Sequence, residues 1–594
     1  MERLFLVPLT LTLCVFLGAR FTPYPELRVF QQRPASSVVT DRYGQEFAIL
    51  QTGDAGYRFD VSIDALPEHV IEAVLASEDR RYFLHPGIDP LAVLGRLHRR
   101  VRSGEVGYGG ATIAVQLSRL VRRSVRERDD RPHGTVGVDR LRDAWDALRL
   151  RARLSPETLL ELYVNHIPFG FSVEGIDAAA RFWFNTGASD LDARQAYLLM
   201  AIPRSPNRYA LHRTPERAVE AALRAAAMTG RGFSRISLEY IAEQARSRAS
   251  GGAVQRLLLI DAPDVSSLSL AHYVNRLTPL SESSSIRSTV DLDAQAFLVS
   301  AVFDAMHDAR DNRISDAAAL VVANRTGEVL AYLGSNPDGT PHGRSYIDAV
   351  RIPRSPGSTV KPFLFAMAFE RGYTPDSTLL DEPTRFGDER VFIPFNFNRQ
   401  FNGIVTAAEA LGSSLNVPAV VLYDDLGESL FSSYMQSLGF EILIREIPNA
   451  GLGAVLGAAR TSLEELSTAY ASIARGGVFL PLSFGLVESR PLRVSGRRVV
   501  SEAAAGHVRE ILSSASYRHL GFPADSFIHE YDGIILKTGT ASQFTDILAI
   551  AASEEHTVAV WMGNLDGQTV IGRPGSSLPA RVALRTVDYL SVPD

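Results

Sequence analysis

The residue vocabulary of this 594-residue chain changes near Ser281 to Ser285, and that change constrains its fold more than any other feature. From about Leu66 to Ala249, apolar residues recur at spacings of three and four, which predicts helices such as Glu68 to Ser77, Pro156 to Asn165 and Asp192 to Ile202. The pattern weakens near Gly251, and the polar stretch 281–285 has the character of a linker. Beyond it, Ala317 to Ala323 is a continuous apolar run, Asn324-Arg325-Thr326-Gly327 a turn, and Glu328 to Leu333 a second strand, together a β-hairpin signal. A mainly helical half followed by strands among helices predicts a multidomain protein: an α domain, then an α/β sandwich whose sheet is covered by helices. The length agrees, since one core does not serve so long a chain.

The first residues bear on location. The apolar run Leu4 to Ala19 would rise about 24 Å as a helix, short of a hydrocarbon core unless flanking residues extend it or the bilayer thins. A cleaved signal peptide is the rival reading, poorly served by Leu17 three residues before the cut after Ala19. A retained anchor at 1–22, with the rest of the chain outside the cytoplasm, is the expectation. The sole cysteine, Cys14, lies inside this run and excludes an intramolecular disulfide. A net charge of -6 argues against a general nucleic-acid binder, although basic residues cluster between Arg96 and Arg153, as a surface for anions or as a solvated helix face.

Only two residues are lysine, and every other basic position is arginine. Lys361 closes the tetrad Ser358-Thr359-Val360-Lys361, and Lys537 opens Lys537-Thr538-Gly539-Thr540. Arginine stays protonated at working pH, whereas a desolvated lysine can lose its proton and act as a base. The two exceptions therefore mark chemistry that arginine cannot perform. Either string alone permits a bland reading, with Ser358 as a helix cap and Lys361 as a solvated side chain. Ser414-Leu415-Asn416 lies between them, and three such strings in this order argue for one site. Together they resemble the active-site signature of penicillin-recognising serine acyltransferases.

A second constellation occupies the helical half. It runs from Glu78-Asp79-Arg80-Arg81-Tyr82-Phe83 and His85-Pro86-Gly87 through Gly109-Gly110-Ala111-Thr112-Ile113 to Gln116. Arg140-Leu141-Arg142-Asp143, Glu161-Leu162-Tyr163-Val164-Asn165 and Phe169-Gly170 with Gly175-Ile176-Asp177 follow. These blocks resemble those of family 51 peptidoglycan glycosyltransferases. From about Val39 onward the chain is similar to bifunctional class A penicillin-binding proteins, nearest their 1C-like branch, whose members usually carry a further C-terminal β-rich domain that is not expected here.

The resemblance implies a lysozyme-like glycosyltransferase domain over 40–250, a linker over 251–290 and a transpeptidase domain over 291–594. Glu78 would be the general base of glycan polymerisation, Asp143 the second catalytic acid, one methylene shorter than the family's Glu, and Arg140 a pyrophosphate-binding cation kept beside Asp143 on one helical face. Asp79, His85, Thr112 and Gln116 would contact substrate, while Ala111, Ala114, Val115 and Gln195 replace residues that are polar or acidic in the family. Ser358 would be the acylated nucleophile, Lys361 its base, Ser414 a proton relay and Lys537 an anchor for a carboxylate. Asn416, Thr538, Gly539 and Thr540 would bind substrate, and the backbone N–H groups of Ser358 and Thr540 would form the oxyanion hole. A divalent cation, magnesium by expectation, would serve the glycosyltransferase, its ligands unknown; the transpeptidase would need no cofactor. Lipid II, nascent peptidoglycan, the bacterial inner membrane and covalently bound β-lactams are the implied partners. The alternative is a transpeptidase or D-Ala-D-Ala carboxypeptidase with a weakened glycosyltransferase, and a non-catalytic scaffold is disfavoured by retention of both lysines.

Overall fold

The computed structural model describes residues 15–52, 56–94, 111–126, 136–250, 270–277, 285–336, 347–387, 391–486, 496–572 and 577–592. Most of the expected anchor, the Gly109-Gly110 pair, Arg99-Arg100 and most of the expected linker lie outside them. Among the described residues, no helix is long and apolar enough to cross a membrane. They form two compact units, the first built from 15–38 and 49–250 and the second from 39–48, 270–277 and 285–592.

The first unit is mainly helical. Four helices build its site: α1 (Glu68–Glu78), α2 (Ile113–Arg126), α3 (Val136–Arg153) and α4 (Pro156–His166). Local signals set their ends. Ser155 caps α4 by accepting from Thr158 N, with Pro156 in the first turn where its missing N–H costs nothing. The helix expected to run to Ile202 covers only Ala193–Leu199, because Pro203 disfavours helical backbone just before it. Gln195 is spent locally: it completes a capping box with Asp192, accepting from Asp192 N at 2.9 Å.

The second unit is built on a five-stranded sheet. Its strands are β1 (Asp316–Ala323), β2 (Val329–Leu333), β3 (Ile535–Thr540), β4 (Asp546–Ala552) and β5 (His556–Gly563), in the spatial order β3-β4-β5-β1-β2 with every pair antiparallel. Ala317, Ala319 and Val321 face a core shared with Leu298 and Val302 of one helix (Leu292–Asp308) and Val582 and Val587 of another (Leu578–Ser591). Their neighbours Ala318, Leu320 and Val322 are equally buried, on the face covered by the helix Leu463–Ala474. A strand buried on both faces has no polar side to show, which is why β1 reads as an unbroken apolar run.

One segment joins the unit that its sequence position does not suggest. Residues 39–48 precede the helical half, yet belong to the second unit. Their strands line up beside Ser285–Ser288 and Gly485–Leu486 in a four-stranded sheet, and Arg42 N donates to Val290 O at 2.9 Å. Strand pairing is non-local, so chain order alone does not report it.

Candidate active sites

In the second unit, a 3₁₀ turn (Gly357–Val360) leads into the helix Lys361–Glu370, placing Ser358 half-buried one turn before wholly buried Lys361. Two glycines allow β3 to reach this turn. A Cβ on Gly539 would lie 2.4 Å from Pro356 O, and one on Gly357, whose φ is +53°, would lie 2.6 Å from Thr540 N. The close approach sets the backbone of Thr540 beside the nucleophile's turn.

Both lysines converge on Ser414. Lys361 Nζ donates to the carbonyls of Ser414 (2.8 Å) and Leu415 (3.0 Å) and to Asn416 Oδ1 (2.6 Å). Lys537 Nζ donates to Ser414 Oγ (2.8 Å) and Thr538 O (2.9 Å). Ser414 spans the pair by adopting φ +57°, a left-handed conformation that is strained for serine and gives its hydroxyl to one lysine and its carbonyl to the other. Burial pushes both amines down, Lys537 to about 7 and Lys361 well below the usual lysine range, the latter also repelled by the charge of Lys537. A buried ammonium held only by neutral acceptors gives up its proton readily, as a base for Ser358 requires.

Behind this triad lies a support that the motifs did not reveal. The carboxylate of Asp381, fully buried, accepts from Asn396 Nδ2 (2.7 and 2.9 Å), Asn402 N (3.0 Å) and Asn402 Nδ2 (2.6 Å). Asn396 Oδ1 in turn accepts from Asn416 N at 2.7 Å, and Asn416 Oδ1 holds Lys361. An unbroken chain of hydrogen bonds therefore runs from Asp381 to the candidate base. The only sequence signal was a density of Asn residues between 396 and 416, which has many bland meanings.

In the first unit, Glu78 ends α1 with its side chain about 5% exposed. Gln116 Nε2 donates to its Oε2 at 2.8 Å, and Tyr163 OH donates to Gln116 Oε1 at 3.1 Å. Glu78 Oε1 is buried and accepts no hydrogen bond among the described residues, with Arg204 Nε 3.8 Å away. Burial raises the pKa of this carboxyl, opposed by the hydrogen bond from Gln116 and the charge of Arg204. The free oxygen is where a hydroxyl proton would go. Gln116, expected to touch substrate, thus positions the candidate base; Tyr163, quoted only as part of a sequence block, and Arg204 join the site.

Asp79, His85 and Thr112 are occupied with one another's surroundings. Asp79 accepts from Ile113 N (3.0 Å) and bonds His85 Nε2 (3.0 Å), while Thr112 Oγ1 donates to Gly87 O (2.5 Å). They tie the start of α2 to the loop after α1, so their visible role is to hold Gln116 against Glu78.

The expected pairing of Arg140 with Asp143 is not what the structure shows. Arg140 is exposed, and Asp143 is buried one face away, taken by two arginines of α2. Arg119 Nε donates to Asp143 Oδ2 at 2.7 Å and Arg122 Nη2 to Oδ1 at 2.6 Å. On a helix, three residues turn the chain about 300°, enough to separate an exposed from a buried position. A divalent cation does not fit these residues as they stand: both Asp143 oxygens are bound by cations, and no group of three or more His, Cys, Asp or Glu side chains among the described residues is arranged to hold a metal.

A desolvated lysine pair around a serine in one unit, and in the other a buried carboxylate with one oxygen that accepts no hydrogen bond among the described residues, are arrangements suited to acyl transfer and to glycosyl transfer. Residues 45–229 match the transglycosylase family and residues 317–570 the penicillin binding protein transpeptidase domain. The chain is 29% identical to penicillin-binding protein 1C of Escherichia coli over 96% of its own length and 69% of that protein. It is 27% identical to penicillin-binding protein 1F of Bacillus subtilis, over 92% and 76%. The crystal structure of penicillin-binding protein 1A from Haemophilus influenzae shares the fold, with a TM-score of 0.59 at 16% identity, covering 95% of this chain and 93% of that one. The chain belongs to the bifunctional class A penicillin-binding proteins, which carry peptidoglycan glycosyltransferase and transpeptidase domains.

Proposed function

We propose that this peptidoglycan synthase polymerises glycan from lipid II at a membrane surface through Glu78 and cross-links the stem peptides through Ser358. The observation that carries the reading is that each unit holds a buried candidate base in a reactive setting: Glu78 with one oxygen that accepts no hydrogen bond among the described residues, and Lys361 with its charge disfavoured.

In glycosyl transfer, the acceptor's 4-hydroxyl attacks the donor's anomeric carbon, its proton passes to Glu78 Oε1, and the bond to pyrophosphate breaks with its electron pair on the leaving oxygen. Attack opposite the leaving group inverts the anomeric centre. Gln116 holds the other carboxylate oxygen, which leaves Oε1 to take the proton. In acyl transfer, neutral Lys361 accepts the proton of Ser358 as the hydroxyl attacks the penultimate D-alanine carbonyl. Ser414, bridged to both lysines, returns a proton to the departing D-alanine amine, and an amine from a neighbouring strand resolves the acyl-enzyme. A β-lactam enters the same first step and stays bound.

Placement at a bilayer is supported by apolar side chains left exposed on the first unit, including Phe21, Phe83, Leu84, Leu91, Leu94 and Leu141, together with the apolar run at the N-terminus. A transpeptidase with a weakened glycosyltransferase remains the second reading, favoured by Ala111, Ala114 and Val115 in the glycine-rich block. The deciding experiment supplies detergent-solubilised full chain with lipid II and follows polymer length. Polymer from the parental chain, lost in Glu78→Gln while fluorescent penicillin still labels Ser358, supports both sites; no polymer from the parental chain leaves the transpeptidase alone.

A further inference from the structure

Resting on the glycosyl-transfer reading, we infer that this unit works without a divalent cation, because Arg119 and Arg122 hold the Asp143 carboxylate that a metal would otherwise need and supply the positive charge themselves. Arg122 is the positioning residue of this device. It lies between Asp143 Oδ1 (2.6 Å) and Asp146 Oδ2 (3.3 Å), with only 16% of its side chain exposed. Asp146 is held from behind by Arg149 Nη1 at 2.8 Å, and Arg149 donates to Pro23 O and covers the ring of Tyr24 at 4.0 Å. Arg153 of the same helix donates to Ala19 O and Thr22 O. A ladder of alternating charge thus runs from Asp143 to the segment that follows the N-terminal apolar run. Arg122 Nη2 is held between two carboxylates, one of which is itself paired from behind.

The electrostatics point one way. Three guanidinium groups and two carboxylates leave one net positive charge, and a divalent cation entering there would displace two charge-assisted hydrogen bonds while meeting that excess. An anion meets the opposite situation. About half of the Arg119 side chain is exposed, and Arg123 and Arg140 are exposed on the same two helices, so cationic donors remain for a pyrophosphate as the anomeric bond breaks. Guanidinium binds phosphate oxygens bidentately and does not need to be recruited from solution.

The test uses the full chain in detergent with lipid II, in chelator or in magnesium, and separately a titration with manganese followed by its paramagnetic resonance. The polymerisation rate in chelator should stay within about twofold of that in magnesium, and no manganese should bind in a way that depends on Asp143. Arg122→Gln should lower the rate in chelator by roughly 10- to 100-fold and make it rise again with magnesium, since Asp143 is then half released. Arg122→Lys, which restores the charge, should recover part of the loss without metal. Polymerisation that chelator abolishes and magnesium restores in the parental chain overturns the inference, as does bound manganese that Asp143→Asn removes. If no polymer forms under either condition, it is the glycosyl-transfer reading that fails, and the manganese titration still decides whether Asp143 accepts a metal.

Discussion

At the scale of the residue, function depends on which charges are kept out of water. Lys361 Nζ fits three acceptors at 2.6 to 3.0 Å, and its side chain is fully buried. An arginine is larger and does not deprotonate, so Lys361→Arg should lower penicillin acylation about 1000-fold or more, as should Ser358→Ala, measured by fluorescent labelling. In the proposed mechanism the active form of Lys361 is the neutral one, and the charge of Lys537 helps to favour it. Lys537→Gln keeps a donor for Ser414 but removes that charge, raising the pKa of Lys361; the acid limb of the acylation profile should therefore move to higher pH. The same logic with the opposite charge applies to Glu78, whose active form in the proposed mechanism is the carboxylate. Burial raises its pKa and the bond from Gln116 lowers it, so Gln116→Ala should shift the acid limb of polymerisation upward as well as slow the reaction. An acid limb unmoved in either variant would show that these neighbours do not tune the bases.

At the scale of the element, the transpeptidase site depends on backbone segments meeting closely. Gly539→Ala would press a Cβ to 2.4 Å from Pro356 O, and β3 would have to retreat from the nucleophile's turn. Acylation should fall at least about tenfold, with a stability loss of about 1–3 kcal/mol seen in thermal unfolding. Asp381→Asn tests the support chain. It keeps the shape but leaves buried donors of Asn396 and Asn402 short of acceptors, so the melting temperature should fall along with the acylation rate. An acylation loss that persists at temperatures well below the variant's melting transition supports the role in holding Lys361, and full acylation there would make Asp381 merely structural. Elements of this kind differ in how well sequence reports them. The β1 run was plain because burial on both faces writes itself as continuous apolarity. The place of residues 39–48 was not, because a short hairpin carries no record of the strand it will pair with.

At the scale of the molecule, two compact units each carry their own site. Ser358→Ala should accordingly polymerise glycan at close to the parental rate, and Glu78→Gln should label with penicillin at close to the parental rate, since residues in separate cores with no shared partner act additively. Loss of both activities in either variant would show coupling that the separate sites do not require. The sequence by itself determined the family and singled out Glu78, Ser358, Lys361, Ser414 and Lys537 as candidates, because rare residue types at fixed short spacings survive as text. Only the tertiary structure decided who holds them. Gln116 against Glu78, Asp381 behind Asn416, and Arg119 with Arg122 in place of Arg140 beside Asp143 all join residues 20 or more positions apart. Such partners are chosen by how helices and strands pack, and packing brings together side chains whose distance along the chain says nothing about their distance in space.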